Sequence, residues 1–90
     1  MDCTIIHNEE AQRFETELDG YMAVVEYSLR NNTINILHTR VPHPIEGRGV
    51  AAALTKYALD YAKQNQLKVI PTCSYTQTYI KRHNEYISLL

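Results

Sequence analysis

The chain has 90 residues, of which 44% are apolar and 21% charged, with a formal charge of −1 at pH 7. That length predicts one small domain, residues 1–90, and the near-balance of charge excludes any global attraction to nucleic acid or an anionic membrane. No apolar run approaches the roughly 20 residues of a spanning helix, and Met1-Asp2-Cys3-Thr4 lacks the layout of a signal peptide. The expectation is a cytoplasmic protein, with Cys3 and Cys73 at no metal-ligand spacing and no metal implied.

The first half reads as an antiparallel meander of about four strands. Cys3-Thr4-Ile5-Ile6 is a short strand, and His7-Asn8-Glu9-Glu10 supplies turn chemistry. Arg13–Leu18 alternates, with Phe14, Thr16 and Leu18 on one face and Arg13, Glu15 and Glu17 on the other. Asp19-Gly20 then marks a tight hairpin, because a type I′ turn needs positive φ at both central positions. Residues 21–29 form the longest strand, and Asn31-Asn32 closes a second hairpin for the same reason. Residues 33–41 follow, with Ile34, Ile36 and His38 on one face.

Pro42 and Pro44 stop the sheet, since neither donates to a ladder. Gly47-Arg48-Gly49 opens a helix running to about Asn65. Its residues Val50, Leu54, Tyr57, Ala58 and Tyr61 make one apolar stripe at helical period. Residues 67–70 read as a buried strand ended by Pro71. Residues 74–81 and a last turn near residues 85–89 read as helical. Strand, glycine-rich turn, helix and strand form a crossover that returns the chain parallel, so the fold class is mixed α/β (α+β).

Such a crossover gathers both strand ends and the helix N-terminus on one edge, where open α/β sheets bind ligands. Unpaired amides in the first helical turn, aided by the helix dipole, suit a phosphate. Gly47 and Gly49 let an anion approach the backbone, residues 51–53 keep the first turns small, and Arg48 adds a cation. G-x-G on its own also describes an ordinary helix start.

His38-Thr39-Arg40-Val41-Pro42, Gly47-Arg48-Gly49-Val50-Ala51 and Pro71-Thr72-Cys73-Ser74-Tyr75 together resemble the small YjdJ-type branch of the GCN5-related N-acetyltransferases. The resemblance covers nearly the whole chain. In that superfamily Q/R-x-x-G-x-G/A binds the pyrophosphate of acetyl-CoA through backbone amides. Gly47 and Gly49 match it, and Pro44 occupies the place of the usual Gln or Arg. The resemblance implies a minimal acetyl-CoA-binding fold whose cofactor contacts are Val41, Gly47, Arg48, Gly49, Val50 and Ala51. Pantetheine would lie where the last two parallel strands splay apart, with Val41 offering backbone hydrogen bonds. It also implies an acceptor site that is open, or completed by a partner.

Acetyl transfer to an amine requires a neutral nucleophile, a polarised carbonyl and a proton for the departing thiolate. Cys73 opens the short last helix, where a helix dipole lowers a thiol pKa, and a thiolate there could accept the acetyl group covalently. The plain alternative is a small buried hydrophobe. His38 reads as a base, as a group orienting Cys73 from the neighbouring strand, or as a hydrogen-bonded core histidine. Tyr79, four residues after Tyr75, reads either as packing or as the phenol that protonates the leaving thiolate. Lys81, Arg82 and His83 read as a solvated cluster within reach of a cofactor 3′-phosphate.

Two functions are open. One is an N-acetyltransferase moving acetyl from acetyl-CoA to an unidentified amine. The other is a CoA or acyl-CoA binding module without efficient turnover, acting through a protein partner. In either case a monomer or weak dimer is expected.

Overall fold

Two hairpins with left-handed turn residues set the frame. The computed structural model describes residues 4–90. Strands β1 (Ile6–Asn8), β2 (Arg13–Leu18), β3 (Tyr21–Arg30), β4 (Thr33–Arg40) and β5 (Lys68–Pro71) lie in sequence order across one sheet. The first four pair antiparallel, and β4 pairs parallel with β5. The β2–β3 turn has φ of 54° at Asp19 and 82° at Gly20, and the β3–β4 turn has 51° at Asn31 and 61° at Asn32. These are the conformations that short hairpin loops demand.

The first strand lies further along than expected. Residues Ile6–Asn8 pair with β2, so His7 and Asn8 belong to the ladder rather than to the turn. The turn falls instead on residues 9–12, where Gln12 takes φ of 55° and donates its amide to the Glu9 carbonyl at 3.2 Å. Asn8 Oδ1 accepts the Ala11 amide at 3.0 Å and fixes the entry to that turn. The Cys3 end of the expected strand lies outside the described residues.

Helix α1 (Val50–Gln64) crosses one face of the sheet, followed by α2 (Ser74–Arg82) and a 3₁₀ turn at Asn84–Leu89. From α1, Val50, Leu54, Ala58, Leu59 and Ala62 enter a single core with Phe14, Ala23, Val25, Tyr27, Ile34, Ile36 and Val69. Each buried leucine or valine there contributes about 1.5–3 kcal/mol. Tyr57, counted in the expected stripe, is 42% exposed, and its ring meets Phe14 edge-on at 5.6 Å. The buried face of α1 is turned toward Thr55 and Leu59, because it packs chiefly on β2 and β3. The C-terminal turn is pinned to α1 by Tyr86, which donates its hydroxyl to Asp60 Oδ1 at 2.6 Å.

Strand β5 also departs from expectation. It is an edge strand covered on one face, so Val69 is buried while Lys68 and Ile70 are exposed. No helix among the described residues packs on the opposite face of the sheet, which displays Glu17, Met22, Glu26, His38 and Arg40. No helix among the described residues is long and apolar enough to cross a membrane.

Candidate functional site

Strand β4 outruns its parallel neighbour. Pairing with β5 stops at Ile36 opposite Pro71, and the last link is the Cys73 amide donating to the Ile36 carbonyl at 2.9 Å. Beyond it β4 continues through Arg40 with β3 on one side and no strand among the described residues on the other. The parallel pair therefore opens toward the start of α1.

A bulge reorients the free part of β4. Tyr27 pairs with Ile36, yet Glu26 pairs with His38, leaving Leu37 without an opposite residue. Directly paired residues share a sheet face. Thr39, opposite the buried Val25, thus turns to the helix side with Ile36, while His38 follows Glu26 to the bare side. His38, expected on the Ile34/Ile36 face, is exposed on the other. One unmatched residue inverted the alternation on which that expectation rested.

The glycine-rich turn meets this opening. Gly47 and Gly49 take φ of 76° and 80°, which any residue bearing a Cβ adopts at a cost of about 1–2 kcal/mol. A Cβ at either position would point into open space. Gly49 caps α1 with no side-chain bond, and the first helical bond runs from the Ala53 amide to the Gly49 carbonyl at 3.0 Å. Among the described residues, no acceptor takes the amides of residues 47–52. Those donors border a cleft of about 840 Å³ lined by Val41, Gly47, Gly49, Val50, Ala51, Ala52, Thr39 and Tyr75, among others. A diphosphate fits this donor set: bare amides, a helix N-terminus and the space a Cβ would fill.

Arg48 is engaged elsewhere. Its guanidinium pairs with Asp19 in the β2–β3 turn at 2.5 Å, and it does not line the cleft. The expected fixed cation is thus a brace between two turns.

Cys73 is half-buried at the start of α2, one layer behind the cleft wall. Its sulfur is hydrogen-bonded to Thr39 Oγ1 at 3.4 Å, and Thr39 lines the cleft. Burial pushes the thiol up, but the Thr39 hydroxyl and groups of Thr76 and Tyr75 outweigh it, so the thiol lies below its ordinary value. Thr76 is fully buried, and among the described residues its hydroxyl meets no acceptor within hydrogen-bond geometry. A thiolate at Cys73 is the acceptor that hydroxyl lacks.

The structure therefore joins Cys73 to Thr39 and leaves His38 on the far side of the sheet. Tyr79 lies in a separate groove with Ala52, Tyr75, Thr78, Arg82 and His83, its ring stacked on His83 at 3.9 Å and its phenol raised by burial. Tyr75 borders both the groove and the cleft. Thr39 and Thr76 carried no signal beyond their types. The facing of Thr39 depends on the bulge, and the burial of Thr76 depends on how α2 docks.

Comparison with known proteins fits this arrangement. The family described as GCN5-related N-acetyl-transferase matches residues 13–89. Protein NATD1 of Xenopus tropicalis is 35% identical over 80 residues, covering 86% of this chain and 73% of that one. Protein NATD1 of Homo sapiens is likewise 35% identical, covering 86% and 71%. The solution NMR structure of a GCN5-like protein from Staphylococcus aureus superposes with a TM-score of 0.72 at 31% identity, covering 92% of this chain and 82% of that one. These likenesses give no support to the narrower YjdJ-type branch; the vertebrate relatives are NATD1 proteins.

Proposed function

Since this chain belongs to the GCN5-related N-acetyltransferase family, we propose that it binds acetyl-CoA in the cleft above α1 and transfers the acetyl group to an amine. The family-level association is with acyl-CoA ligands; the choice of acetyl and of an amine acceptor is our reading. One observation carries it. Among the described residues, the amides of residues 47–52 are without acceptors, at the end of a strand whose outer edge no other strand pairs. They would hold the diphosphate, and the edge of β4 up to Val41 would take pantetheine.

Cys73 gives the transfer its chemical route. Its thiolate sulfur bonds to the acetyl carbonyl carbon, the carbon–sulfur bond to CoA breaks, and the CoA thiolate leaves and takes up a proton. The acceptor nitrogen then attacks the acetyl-cysteine, frees Cys73 and loses its proton. Thr39 holds the sulfur toward the cleft and stabilises its charge. His38 faces the uncovered side of the sheet, from which an amine would approach. The proton for the leaving thiolate is assigned to Tyr79, whose phenol is raised by burial in the groove that adjoins the cleft at Tyr75.

Weighing the protein after incubation with acetyl-CoA tests the route. An acetyl mass increment is expected, and it disappears in Cys73→Ser. Absence of the adduct with activity retained in that variant eliminates the covalent step. A second reading, binding without efficient turnover, draws on the sheet face that no helix among the described residues covers, which leaves an acceptor unwalled there. Release of free CoA across a panel of amines separates the two. The reading includes one domain acting in the cytoplasm, as a monomer or weak dimer.

A further inference from the structure

More donors surround the Cys73 sulfur than a packed thiol uses. Cys73 is the N-cap of α2, a helix of 9 residues, and no side chain caps that end. The amides of Tyr75 and Thr76 reach the sulfur, and Thr39 Oγ1 lies 3.4 Å from it across from β4. Every one of these groups is uncharged, and His38 stands on the opposite face of the sheet. A thiolate held this way keeps its sulfur open to a small electrophile.

Thr76 is the independent sign. Its side chain has no exposed surface, and its hydroxyl meets no acceptor within hydrogen-bond geometry among the described residues, yet it bears on the Cys73 sulfur. A buried hydroxyl without a partner is destabilising, and an oxygen added to that sulfur would accept its bond. Cys73 is half-buried behind Thr39, which lines the cleft. Hydrogen peroxide, little larger than water, suits that approach.

We propose that Cys73 is a site of reversible oxidation, at which hydrogen peroxide forms a sulfenic acid held by Thr76 and a small free thiol then closes it as a mixed disulfide. The thiolate sulfur attacks one peroxide oxygen, the O–O bond breaks, and the departing hydroxide takes a proton from solvent. The sulfur gives up an electron pair and the peroxide is reduced to water. The incoming thiolate then attacks the oxidised sulfur, the S–O bond breaks, and the oxygen leaves as water with a solvent proton. The oxidation needs no acetyl-CoA. Its consequence, loss of the acetyl acceptor until a reductant restores the thiol, rests on the function proposed above.

Mass measurement and peptide mapping of the full chain test this. Peroxide is removed with catalase before glutathione is added, so that a mixed disulfide reports sulfenic acid. One glutathione at Cys73 is expected, released by dithiothreitol, with oxidation at least about threefold faster in the folded chain than in the same chain unfolded in urea. Thr76→Val should lower the trapped fraction about threefold, while Thr39→Ser, which keeps the hydroxyl, should stay within about twofold of wild type. Should Thr76→Val fail to fold, the folded and unfolded wild type decide the matter. Similar rates in those two states, a folded Thr76→Val trapped as readily as wild type, or a Cys73 that dithiothreitol does not recover each overturn the proposal. So does an adduct on Cys3, or a Cys3–Cys73 disulfide in place of the glutathione adduct. Acetylation of the untreated protein is scored separately. Oxidation as expected with no acetyl adduct and no CoA release keeps the oxidation site and removes the acetyl-CoA reading; the reverse result removes the site alone.

Discussion

Arg48 Nη1 stands 2.5 Å from Asp19 Oδ2, tying the glycine-rich turn before α1 to the hairpin turn between β2 and β3. Both side chains are substantially exposed, and such pairs are worth about 0–1 kcal/mol. Arg48→Gln should therefore shift the urea unfolding free energy by less than about 1 kcal/mol. CoA affinity should fall by less than about threefold, because in the proposed binding mode the diphosphate is held by backbone amides. A loss of tenfold in a titration would mean that Arg48 leaves Asp19 to contact the ligand.

The two glycines at similar φ allow strain to be separated from function. Gly49 and Gly20 lie at 80° and 82°, and a Cβ at either meets nothing within 4 Å. Alanine at each should cost a similar amount, about 1–2 kcal/mol, measured by chemical denaturation. Only Gly49→Ala should weaken CoA, by about tenfold, since its Cβ enters the space in front of the cradle. Matching losses of affinity in the two variants would remove the cradle from the binding site.

Thr39 Oγ1 lies 3.4 Å from the Cys73 sulfur and is one of the groups that hold the thiol below its ordinary value. Replacing Thr39 with valine keeps the shape, removes the hydroxyl that faces the sulfur, and moves the thiol upward toward its ordinary range. Alkylation by iodoacetamide near neutral pH should slow by roughly threefold or more, and the midpoint of its pH–rate profile should rise. An unchanged profile would leave the low thiol value to α2 alone.

His7 gives the fold a pH dependence. Burial among Phe14, Tyr27 and Tyr61 holds the imidazole below its ordinary value, against a smaller upward pull from Glu9. In the neutral form Nε2 accepts the Tyr27 hydroxyl at 2.5 Å. The unfolded chain thus binds this proton more readily than the folded one. Stability is full above about pH 6.5 and declines as pH falls below it. His7→Gln should flatten that decline in thermal melts between about pH 6.5 and 5. An unaltered slope would assign it to another group.

Most of the frame was legible because local chemistry decided it. Asp19-Gly20 and Asn31-Asn32 announce hairpins through the φ they tolerate, and the prolines at 42 and 44 place the end of β4. The glycine-rich turn and the parallel return of β5 followed from spacing and connection length. Features settled by tertiary packing were not legible. Alternation carried His38 to the wrong face because Leu37 is unmatched, and no residue type marks a bulge in advance. Arg48 looked available because its partner lies 29 residues away in sequence. Apolar content suggested a covered strand at residues 67–70, whereas coverage depends on strand order, which left Ile70 at the rim.

The extra residue in β4 divides one strand between two duties. Its first half addresses the interior in step with β3, and its second half is shifted by a single position so that Thr39, not its neighbour, looks toward the opening. Excising Leu37 would remove the bulge and keep its flanking pairs, Ile36 with Tyr27, His38 with Glu26 and Thr39 with Val25, so His38 and Thr39 would hold their present faces. Forcing Leu37 into the ladder opposite Glu26, by contrast, would turn Thr39 away from the thiol without altering any group beside it.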